Sequence, residues 1–68
     1  MSKTLRVIVE FRRVGAYVKV SALDEDSLTE VSIVGDAKSP EAALRDTALR
    51  KLVRALERRG AAPSGVRG

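Results

Sequence analysis

The 68-residue sequence contains no cysteine, no histidine and no tryptophan, and Phe11 and Tyr17 are its only aromatic residues. Without thiols or imidazoles, a zinc site, a haem ligand, a thiol nucleophile and an imidazole base are all excluded. No apolar run approaches the roughly 18 residues of a membrane span. The N-terminal Met1-Ser2-Lys3-Thr4-Leu5 leads into an alternating segment instead of a signal-peptide core. The lack of cysteine also suits a reducing compartment, so a cytoplasmic protein is expected. Scarce aromatics leave almost no platform for base stacking.

What remains is a globular balance, 44% hydrophobic and 32% charged residues, in a chain long enough for a single core. The net charge of +4 is unevenly placed. Residues 1–38 are neutral overall, with six basic and six acidic groups, whereas residues 39–59 hold six basic groups against three acidic ones. The excess therefore forms a local field in one segment, which a polyanion would sense.

Leu5, Val7, Val9 and Phe11 alternate with Arg6, Ile8 and Glu10, the period-two pattern of a strand buried on one face. Gly15 supplies a turn, and Ala16, Val18, Val20 and Ala22 then alternate with Tyr17, Lys19 and Ser21 as a second, hairpin-paired strand. Asp24-Glu25-Asp26-Ser27 reads as a polar turn before a third strand, in which Thr29, Val31 and Ile33 alternate with Glu30, Ser32 and Val34 up to Gly35. Ser39-Pro40-Glu41 then has the signature of a helix start: an N-cap, a proline at the first helical position and a carboxylate in the first turn. No further Pro or Gly interrupts the chain until Gly60, which is placed to end the helix.

The expected fold is thus α+β: a three-stranded antiparallel meander packed on one C-terminal helix, βββα, over residues 4–60. Residues 61–68, rich in Gly and Pro, are expected to form a flexible tail. On a helical wheel Leu44, Ala48, Leu52, Ala55, Leu56, Leu49, Ala42 and Val53 fill an arc of about 180°. Arg45 projects from the middle of that arc, and its long stem is expected to snorkel past the sheet edge.

Phe11 to Ala22, Thr29 to Gly35, Leu44 and Ala48-Leu49-Arg50-Lys51-Leu52 resemble a family of short alphaproteobacterial proteins with no assigned function. The resemblance implies a compact single domain and carries over no site. The order of three strands and an Ala-rich helix also looks like the second half of a double-stranded-RNA-binding domain. That family's final helix opens on lysines that meet phosphates, whereas Pro40-Glu41-Ala42-Ala43-Leu44 holds none, and the family's first helix is missing. This likeness implies a shape without its phosphate-reading residues.

Two surfaces remain as functional candidates. Ile8, Tyr17 and Val34 bring apolar area to the sheet face away from the helix, and they point to self-association as a homodimer or to a protein partner. This is the first expectation, because a domain of this size is marginal on its own. The alternative is sequence-independent binding of nucleic acid or another polyanion through Arg50, Lys51, Arg54, Arg58 and Arg59, three of which recur at i,i+4 steps. A solvated helix face accounts for the same residues. Tyr17, Lys19 and Glu30 are polar residues on an open sheet face and form no pocket, so no enzyme, cofactor or small-molecule substrate is expected. Asp24, Asp26, Ser27 and Glu30 lack the glycine and the distal Glu of a calcium loop and read as an acidic turn.

Overall fold

The computed structural model describes residues 6–61. Three strands, β1 (Val7–Val14), β2 (Tyr17–Asp24) and β3 (Thr29–Asp36), form an antiparallel sheet in the order β1-β2-β3, and α1 (Glu41–Ala61) follows. This is the expected βββα meander. Leu5 and the tail from residue 62 onward lie outside the described residues.

Both strand connections follow from local chemistry. Val14 pairs with Tyr17 across the two residues Gly15 and Ala16, and Gly15 takes φ 61°, the conformation that the first position of a II′ hairpin turn demands. The second turn differs from its sequence reading. Asp24 belongs to β2, where it is buried, and its Oδ2 accepts hydrogen bonds from the Ser27 amide (3.1 Å) and hydroxyl (2.6 Å). The turn therefore comprises residues 25–28, and it closes with the Leu28 amide donating to the Asp24 carbonyl (2.7 Å) while Leu28 adopts φ 62°.

The helix boundaries also differ from the sequence pattern. The Pro40 carbonyl accepts the opening bonds from the amides of Ala43 (3.1 Å) and Leu44 (3.2 Å), so Pro40 occupies the cap and α1 begins at Glu41. The Ser39 amide instead bonds the Asp36 carbonyl (2.9 Å), finishing the β3–α1 connection. At the far end α1 passes through Gly60 to Ala61, so Gly60 does not stop it. No helix among the described residues is long and apolar enough to cross a membrane.

Val18, Val20, Ala22, Leu44, Ala48 and Leu52 form the buried core. The strand residues share one face through the pairs Phe11–Val20–Ile33 and Val9–Ala22–Val31, and the helix residues recur at four-residue steps. The helix rests on β2 and β3, and β1 lies largely outside its footprint, because one helix is only about as wide as two strands. Val7, Val9 and Phe11 are accordingly half-buried. The apolar arc of α1 is narrower than the wheel implies, since Ala42 and Val53 are exposed. Arg45 reaches toward β1 and sets its guanidinium 5.8 Å from the centroid of the Phe11 ring, a cation–π contact.

Candidate polyanion groove and open sheet face

The basic stripe of α1 meets the outer edge of β3. Lys51 Nζ crosses to donate to the Ser32 carbonyl (2.9 Å), bridging the helix flank and the strand that it overhangs. An open groove of about 540 Å³ results, lined by Ile33, Thr47, Arg50, Lys51, Arg54 and Arg58. Four of its six lining residues are cations and none is a carboxylate. Asp46, one turn before Arg50, holds that guanidinium at 2.9 Å on the exposed surface, the i,i+4 pair that the spacing favours. Among the described residues, Arg54 and Arg58 make no ion pair.

Arg59 stands apart from the groove. It donates from Nη1 to the Thr29 hydroxyl (2.7 Å) and so ties the last turn of α1 to the start of β3. Thr47 and Ile33, which lie outside the basic stripe of the sequence, complete the groove wall. Thr47 is identifiable from its spacing, three residues before Arg50 and four before Lys51. Ile33 is not, because its place depends on how the helix lies on the sheet. Arg12 and Arg13 do not extend the groove: the hairpin tip bonds the Ala37 amide through the Ala16 carbonyl (3.0 Å), beside the start of α1 and away from Arg58.

The second candidate surface is divided by the strand register. Ile8 lies opposite Leu23, whereas Tyr17 sits between Val14 and Asp36, and Val34 is beside Lys19. Six residues of strand, about 20 Å, separate Ile8 from Val14. Between the two apolar ends run the polar rows Glu10–Ser21–Ser32 and Arg12–Lys19–Val34, which only Val34 interrupts. Ile8, Tyr17 and Val34 therefore share a face and do not form one patch. At the acidic turn Asp24 is occupied with Ser27, and among the described residues no group of three or more His, Cys, Asp or Glu side chains is placed to hold a metal ion.

A family model described as a domain of unknown function, DUF6898, matches residues 4–59. No curated protein and no solved structure matches the chain.

Proposed function

The chain belongs to the DUF6898 family, and from this premise we propose that it is a non-enzymatic module that binds nucleic acid by its backbone, in the groove between α1 and β3. One observation carries this reading: Arg50, Lys51, Arg54 and Arg58 line a single groove that contains no carboxylate. Successive members of the Arg50/Arg54/Arg58 row are about 6 Å apart along the helix axis, a step that suits successive phosphates of a strand lying along it. Two of the three guanidiniums are free of ion pairs among the described residues, so a phosphate need not displace an internal partner at those positions. The groove presents no aromatic ring, which favours backbone recognition over base readout. A cytoplasmic location, and the alphaproteobacterial source that the sequence resemblance implies, belong to the same proposal.

The test replaces Arg50, Arg54 and Arg58 together by Gln, which keeps helix propensity and removes three charges. At about 1 kcal/mol per arginine–phosphate pair, affinity for unrelated sequences of equal length should fall on the order of 100-fold at low salt. The log-log salt slope should shrink by about 0.9 for each duplex phosphate that is no longer neutralised. If the unaltered protein fails to bind either duplex or single strands at low salt, this function is removed.

A further inference from the structure

The two edges of the sheet are not equivalent. The Arg6 carbonyl accepts from the Glu25 amide (2.9 Å), and the hairpin closes on the pair Val14–Tyr17, so the even-numbered residues of β1 exchange their backbone bonds with β2. The N–H and C=O groups of Val7, Val9, Phe11 and Arg13 must then point outward from the edge. On β3 the same alternation turns Glu30, Ser32, Val34 and Asp36 outward. The Lys51–Ser32 hydrogen bond agrees with that phase and blocks the middle of that edge with a lysine. β1 has neither proline nor glycine, pairs without a bulge over all eight residues, and lies largely outside the helix footprint. It is an open pairing edge.

We propose that β1 pairs with β1 of a second copy, antiparallel about a two-fold axis at Phe11, to make one six-stranded sheet. The charges select the occupant and the register. With the outward groups fixed, the two-fold falls at Val9, Glu10, Phe11 or Arg12. At Glu10 or Arg12 it sets like charges directly opposite each other, and at Val9 it sets Arg6 against the partner's Arg12 and Ile8 against the partner's Glu10. At Phe11, Glu10 faces the partner's Arg12 and Ile8 faces the partner's Val14 on the open face, each twice by symmetry. On the helix side Val9 faces the partner's Arg13, and Phe11, with Arg45 over its ring, faces its own copy. Within one chain neither Glu10 nor Arg12 makes an ion pair among the described residues, and Arg12 lies across from Lys19, a like charge that the partner's carboxylate offsets. Both basic grooves are left at the outer ends of the doubled sheet, so this proposal stands apart from nucleic-acid binding.

Sedimentation equilibrium across micromolar to millimolar concentrations tests it on the full chain. Glu10→Arg and Arg12→Glu each place like charges in register, and each should raise the dimer dissociation constant about 10-fold or more. The double swap, Glu10→Arg with Arg12→Glu, restores complementarity and should return association close to that of the unaltered protein. Arg13→Pro removes an outward N–H that β2 does not use, so it should weaken association while the melting curve confirms a folded chain. A protein that remains monomeric at millimolar concentration overturns the proposal, as do single swaps without effect or a double swap that fails to rescue.

Discussion

Truncating Leu52 to alanine is expected to remove most of the protein's stability at 25 °C. Leu52 is fully buried in the same core cluster as Val20, the other large side chain with no exposure. Leu→Ala at such sites costs about 2 to 5 kcal/mol, the transfer of the deleted atoms plus the cavity they leave. A domain with one small core holds only about 3 to 5 kcal/mol in total. Val34→Ala, at a position 64% exposed, is the control and should stay within about 0.5 kcal/mol. Urea unfolding followed by circular dichroism compares them. An unchanged midpoint for Leu52→Ala would mean that the helix packs on a different stripe.

Gly35→Val sets two effects of opposite sign against each other. A β-branched residue in a strand is favoured by propensity, by up to about 1 kcal/mol, so propensity alone forecasts a gain. The structure forecasts a loss, because a Cβ on Gly35 in β3 would collide with Leu44 Cδ2 of α1. Leu44 is itself a core residue, and overpacking of this kind costs about 1 to 3 kcal/mol. The steric effect wins, and the variant should be destabilised by roughly 1 to 2 kcal/mol. Adding Leu44→Ala vacates the space, so the double variant should be more stable than the sum of the two single effects predicts. If Gly35→Val raises the melting temperature, the close approach of helix and strand is wrong.

The alternating Val, Ile and Ala residues place all three strands and their inward faces, because period two leaves no other way to bury one side. Arg50, Arg54 and Arg58 of the groove are likewise legible from i,i+4 spacing alone, and Lys51 from its place beside Arg50. Arg59 shares the stripe in sequence and leaves it in space, since its partner Thr29 is thirty residues away and is brought near only by the sheet. The separation of Ile8 from Tyr17 depends on hairpin register, which the two-residue turn at Gly15 sets and composition does not reveal. The stem of Arg45 reads as a snorkel past the sheet edge, and its contact with Phe11 depends on the sideways position of the helix. Pro40 offers its carbonyl to two amides, so the cap falls one residue later than a proline at the first helical position implies.

The helix footprint also divides the molecule into unequal cooperative units. β1 is held mainly by its ladder to β2, whereas β2 and β3 share both a ladder and the weight of α1. Detachment of β1 should therefore cost less than global unfolding, and native-state hydrogen exchange resolves such partial openings. The central strand reports on both units at once, because its odd residues bond β1 and its even residues bond β3. Amides of Lys19, Ser21 and Leu23 should exchange by the cheaper opening, and those of Val20 and Ala22 only when the whole domain opens. Protection along β2 should thus rise and fall from one residue to the next. A uniform profile would mean that β1 opens only with the rest. In a β1-paired dimer the faster set would slow as protein concentration rises, while the slower set continued to report global unfolding.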